Sequence, residues 1–86
     1  MSFDVMWTTA AENELATLWL NPLLRLLVTE SSGLLEERLV RNAAEEGESR
    51  SQGTRITFEP PLGMRFWVNE EARRVLVPHI WAYRQR

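Results

Sequence analysis

The hydrophobic pattern of this 86-residue chain changes period once, and that change limits the fold more than any other feature. Before Gly47 the apolar residues recur every three or four positions; after Gly53 they alternate. The first pattern belongs to helices with one buried face and the second to half-buried strands. A chain ordered in this way reads as α+β, with helices packed on one face of an antiparallel sheet.

Local signals place the elements. Phe3, Val5 and Trp7 alternate with other residues and predict a short first strand. Thr9-Ala10-Ala11-Glu12 reads as a capping box, in which a hydroxyl and a carboxylate satisfy free backbone amides at a helix start. The first helix runs from there to about Leu20, with Ala11, Leu15, Leu18 and Trp19 on one face. Asn21-Pro22 ends it and opens a second helix, with Asn as cap and Pro at the first helical position. That helix is expected from Pro22 to about Glu46, burying Leu24, Leu27, Val28, Ser31, Leu35, Leu39 and Ala43. Ser31-Ser32-Gly33 is its weak point, since glycine there costs about 1 kcal/mol against alanine. So short a connection predicts an antiparallel helical hairpin.

Beyond Gly53 the chain reads as a meander. Arg55, Thr57 and Glu59 alternate with Ile56 and Phe58; Pro60-Pro61-Leu62-Gly63 is a turn. Met64, Phe66 and Val68 then alternate with Arg65 and Trp67. After a turn at residues 69–73, a third strand covers Arg74 to Trp81, where Pro78 implies a bulge or an edge.

Composition sharpens this. The length suits one domain, residues 1–86, with a small core. With no cysteine there is neither a disulfide nor a thiolate metal site, which fits a cytoplasmic protein. No signal peptide is visible at Met1-Ser2-Phe3-Asp4, and Leu18 to Val28 is too short and too interrupted to span a bilayer. The net charge of −2 hides two opposite halves. Residues 1–48 carry nine acids and three arginines, a balance of −6; residues 49–86 carry three acids and seven arginines, a balance of +4. The basic half interleaves arginine with aromatics, a surface suited to a polyanion. Every fixed cation is arginine, whose planar fork can grip a phosphate in two places.

Several short stretches carry a family resemblance. They are Val5-Met6-Trp7 followed by Ala11-Glu12-Asn13-Glu14-Leu15, Trp19, Gly47-Glu48-Ser49-Arg50, Gly53-Thr54-Arg55, Pro61-Leu62-Gly63, Phe66-Trp67-Val68, and Val75 through Tyr83. In that order the chain resembles the RelE/ParE superfamily of toxins from type II toxin–antitoxin systems. The resemblance implies a helical hairpin on an antiparallel sheet and a neutralising antitoxin, in a toxin–antitoxin oligomer. It also implies growth inhibition by one of two routes. RelE-like members are metal-independent endoribonucleases, or mRNA interferases, that cut messenger RNA on the ribosome. ParE-like members inhibit DNA gyrase. A third reading is an inactive, protein-binding relative. No cofactor or metal is implied.

The resemblance also suggests site residues. Arg65 aligns with an arginine that stabilises the phosphorane, Arg55 with another basic position, and Tyr83 with a functional tyrosine; Glu48 matches a glutamate used as a base. Strand alternation is expected to put Arg55 and Arg65 on one face, with Trp67 beside them. Arg50, Trp67 and Arg84 are candidate contacts to RNA or a partner. Each has a plainer reading: solubility for Arg65, an ion pair of Arg55 with Glu48 or Glu59, packing for Tyr83, and a solvated carboxylate for Glu48. The lone His79 is expected to share a side with Val75, Val77 and Trp81, as a structural histidine in an apolar strand. Leu20, Leu23, Leu26 and Leu34 cannot all face the sheet together with Leu24, Leu27 and Leu35. They are the candidate antitoxin-binding residues.

Overall fold

The computed structural model describes residues 2–83. Its strands are β1 (Asp4–Trp7), β2 (Glu48–Ser49), β3 (Thr54–Glu59), β4 (Leu62–Asn69) and β5 (Arg74–Ala82). Helices α1 (Thr9–Trp19) and α2 (Arg25–Asn42) fall between β1 and β2. The strands form one sheet in the order β1-β5-β4-β3-β2. β3, β4 and β5 are the expected antiparallel meander. β1 adds a parallel edge against β5, from Asp4 opposite Arg74 to Trp7 opposite Val77. A parallel pair needs a long crossover, which the helical hairpin begins.

The core lies between the helices and one face of the sheet. Leu62, Met64 and Phe66 of β4 and Val75, Val77 and Ile80 of β5 are buried against Ala11, Val28, Leu35 and Leu39. The α2 stripe is as expected at Val28, Ser31, Leu35, Leu39 and Ala43, whereas Leu27 lies half exposed at its border. Buried Ser31 donates its hydroxyl to Pro60 O at 2.8 Å, tying α2 to the β3–β4 turn.

Helix boundaries depart from the sequence reading. Thr8 rather than Thr9 caps α1: its Oγ1 accepts the Ala11 amide at 3.1 Å and donates to Pro78 O at 3.2 Å. The tertiary bond to β5 fixes which threonine serves. Asn21 does not cap α2; its Oδ1 accepts the Leu23 amide at 3.0 Å in a local turn, and α2 starts only at Arg25. The helix runs unbroken through Gly33 and gives way to a single 3-10 turn, Ala43–Glu45.

Pro78 makes the expected bulge. Arg65 pairs with His79 but Trp67 pairs with Leu76, so Phe66 faces two residues of β5. Proline has no amide to give to β4, and the extra residue absorbs the missing bond. The alternation of β5 flips there: Val75 and Val77 point into the core, as does Ile80, while His79 is exposed on the other face. The expectation that His79 sides with Val75 and Val77 is thereby corrected.

Candidate functional site

Residues directly opposite one another on neighbouring strands share a face. Glu48 stands opposite Ile56, Ile56 opposite Arg65, and Arg65 opposite His79. These four therefore form one transverse row across β2, β3, β4 and β5. Arg65 lies between buried Met64 and buried Phe66, so the row occupies the face turned away from the helices. With strands about 4.8 Å apart, the backbones of Arg65 and His79 are about 5 Å apart and Glu48 lies about 10 Å from Arg65.

Aromatic rings flank the row. On one side Phe58 stands edge-on to Trp81, centroids 6.3 Å apart, and to Tyr83 at 5.4 Å. Trp81 lies across Gly63 so closely that a Cβ there would be 2.6 Å from its Cε2. Trp67, exposed two residues beyond Arg65 on β4, closes the other side. An exposed cation between exposed rings is a surface that can grip a phosphate and stack bases.

The row is held from both ends. Glu48 ion-pairs with Arg50 at 3.2 Å. His79 Nδ1 lies 3.5 Å from Glu14 Oε1, which also accepts the Ile80 amide at 3.2 Å. β1 ends opposite Val77, so the remaining edge of β5 has no strand beside it there; the α1 carboxylate takes up its amide instead. Among the described residues no ion pair or side-chain hydrogen bond engages Arg65.

Arg55 is not part of this surface. It pairs with buried Phe66 and so faces the helices, opposite in side to Arg65. Its Nε donates to Glu46 O at 2.8 Å and its Nη2 to Gly47 O at 3.2 Å. It braces the fold as the plainer reading held, but through carbonyls. Arg38 takes Glu59 at 3.0 Å and Arg50 takes Glu48. The alternation misled because β3 is inverted: polar Thr57 is the buried residue, bonded to the Glu46 carboxylate at 2.5 Å, and Phe58 is exposed. Tyr83 shares the outer side but lies four residues along from His79, roughly 13 Å. Its amide donates to Pro61 O at 2.9 Å. Arg55, Arg65 and Tyr83 thus do not converge. Arg84 lies outside the described residues.

His79 is the residue that sequence reasoning left without a role. Part of the signal is in the sequence, since Pro78 implies a bulge or an edge, and a bulge reverses the alternation beyond it. On the opposite side of the molecule, Leu20, Leu23, Leu26 and Leu34 are 67%, 89%, 70% and 47% exposed. Among the described residues no group of three His, Cys, Asp or Glu is placed to hold a metal, and no helix is long and apolar enough to cross a membrane.

The architecture is RelE/ParE-like. Over 96% of its length the chain superposes on 100% of a chain from the toxin–antitoxin complex RelBE2 of Mycobacterium tuberculosis, with a TM-score of 0.75 at 20% identity. It superposes equally on a chain of the chromosomal ParDE toxin–antitoxin system of P. aeruginosa, with a TM-score of 0.74 at 18% identity and 98% of that chain covered. No protein-family model and no curated protein matches the sequence. At such identities the likeness is one of fold, and function has to be argued from this chain's own residues.

Proposed function

We propose that this protein is the toxin of a type II toxin–antitoxin pair, acting in the cytoplasm as a RelE-type endonuclease on ribosome-bound messenger RNA. The observation that carries this reading is the exposed row of Glu48, Arg65 and His79 between aromatic rings. Each member answers one need of RNA cleavage. Glu48 as base takes the proton of a ribose 2′-hydroxyl, and the freed oxygen attacks the adjacent phosphorus. The Arg65 guanidinium holds the equatorial oxygens of the pentavalent phosphorane, where charge accumulates. His79, protonated, gives its proton to the departing 5′-oxygen. The products are a 2′,3′-cyclic phosphate and a 5′-hydroxyl end, and no atom is left unbalanced. Phe58, Trp67 and Tyr83 stack the neighbouring bases. The antitoxin covers the leucines exposed on the helical hairpin with an apolar helix face.

A ParE-type gyrase inhibitor is the second reading. It is favoured by Arg55, whose guanidinium is bonded to carbonyls on the far face, leaving fewer cations for RNA. Induced expression in bacteria separates the two. New transcript ends that disappear with Arg65→Ala support cleavage. Unchanged transcript ends with altered plasmid supercoiling transfer the assignment to gyrase, and a silent phenotype leaves a binding module.

A further inference from the structure

Helix α1 packs along the stretch of β5 that carries the bulge and grips it at two points. At the helix start the Thr8 amide donates to Val77 O at 3.0 Å and the Thr8 hydroxyl to Pro78 O at 3.2 Å. Farther along, Glu14 Oε1 accepts the Ile80 amide at 3.2 Å and stands 3.5 Å from His79 Nδ1. Each residue of β5 from Val77 to Ile80 is thus engaged by α1 or its cap. The place of the Glu14 carboxylate beside the imidazole is set by backbone bonds, not by the ion pair alone.

The imidazole is 53% exposed and open to a substrate. An ion pair at such exposure adds little to stability, so stability is a poor account of this arrangement. Among the described residues no hydrogen bond engages His79 Nε2. An ionised carboxylate accepts hydrogen bonds and donates none. Beside Nδ1 it admits one neutral tautomer, with the proton on Nδ1, and the nitrogen left for chemistry is Nε2.

We propose that Glu14 is a positioning residue for His79: it holds the proton on Nδ1 and reserves Nε2 as the nitrogen that serves the departing 5′-oxygen. The step it serves rests on the endonuclease reading, whereas the tautomer is a property of the chain itself. In that step the Nε2–H bond breaks and an O–H bond forms on the leaving oxygen. The ring ends neutral, with its remaining proton on Nδ1 toward Glu14. The separation of 3.5 Å is long for a hydrogen bond, and catalytic bonds of this kind tighten when substrate is bound.

His79 is the only histidine of the chain, so nitrogen NMR reads its two ring nitrogens without ambiguity. In alkaline buffer, where the ring is neutral, the wild-type protein should carry the proton on Nδ1. Glu14→Gln keeps an oxygen for the Ile80 amide, and its melting temperature should hold. Its amide can face Nδ1 as acceptor or as donor, so the ring should become a mixture of tautomers. Its kcat on ribosome-bound messenger RNA should fall roughly tenfold with KM little changed, as loss of an outer partner that orients a histidine does. Placed on His79→Ala, the same substitution should cost nothing further. A proton on Nε2 in the wild type overturns the proposal, as does an unchanged tautomer in Glu14→Gln. Full cleavage by Glu14→Gln would show that Glu14 only caps the edge of β5, and overturns it too. A wild-type chain that cuts no messenger RNA overturns the endonuclease reading instead, and the ring nitrogens alone then decide whether Glu14 orients His79.

Discussion

Arg65 of β4 stands directly opposite His79 of β5, on the side of the sheet away from the helices. The pairing exists because Pro78 inserts one residue into β5 and turns the imidazole outward. In the endonuclease reading His79 is the acid, so His79→Ala should lower the rate of messenger RNA cleavage by roughly 10²-fold. His79→Gln should fare no better, because an amide can hydrogen-bond but cannot deliver a proton. An exposed side chain contributes little to folding, so the melting temperature should hardly move. Full activity of His79→Gln, read from transcript ends, would remove His79 from the mechanism.

The two arginines should separate cleanly. In the endonuclease reading, Arg65→Ala should lower cleavage by on the order of 10²-fold or more, as loss of an oxyanion-type donor does. Its effect on stability should be within about 0.5 kcal/mol, as for an unpaired surface residue. Arg55→Ala should behave in the opposite way. It strips donors from the Glu46 and Gly47 carbonyls and should destabilise by about 1–3 kcal/mol. In the same reading, folded Arg55→Ala protein should cleave normally. Urea unfolding beside the cleavage assay checks both halves.

Gly63→Ala places a methyl group 2.6 Å from Trp81 Cε2. The indole must move, and with it the edge-on contact to Phe58. Overpacking of this kind destabilises by about 1–3 kcal/mol. If Phe58 and Trp81 form a base-stacking platform, RNA affinity should fall in the same variant. A crystal structure of Gly63→Ala with Trp81 undisplaced would contradict the argument.

Among the described residues, Leu23 and Leu26 are the most exposed of the large apolar side chains, at 89% and 70%. Leu23→Glu and Leu26→Glu should leave the melting temperature nearly unchanged, because little burial is lost. In the toxin reading, binding of a co-expressed antitoxin should weaken sharply, and cells should lose the protection it gives. Co-purification through a tagged antitoxin measures this, and full retention by the double variant would show that the leucines are not the interface.

Gln52 adopts a left-handed backbone, with φ 60°. A side chain is disfavoured there by roughly 1–2 kcal/mol, whereas glycine is at ease. Gln52→Gly should therefore raise stability by about 0.5 kcal/mol net of its greater unfolded-chain entropy. Thermal unfolding checks the sign.

What the residues determined alone was the local order. The apolar spacing of Val28, Ser31, Leu35 and Leu39 defines the buried face of α2, since helical geometry turns that spacing into one stripe. The alternation of Met64 and Phe66 defines the buried face of β4 for the same reason. Pro78, lacking an amide, announced a bulge or an edge, and the register of β4 on β5 decided for the bulge. What only the tertiary structure decided was which polar groups are satisfied inside. Alternation on β3 offered two sides, one with Thr57 and one with Phe58, and hydrophobicity favours burying the phenylalanine. The fold buries the threonine, because Glu46, just past the 3-10 turn that follows α2, brings a carboxylate to accept its hydroxyl. Arg55 follows Thr57 to that side and is lost to the outer surface. Thr8 caps α1 in place of Thr9 because β5 supplies the Pro78 carbonyl. Periodicity is a property of the chain near each residue; hydrogen-bond satisfaction depends on partners brought from elsewhere, and only folding brings them.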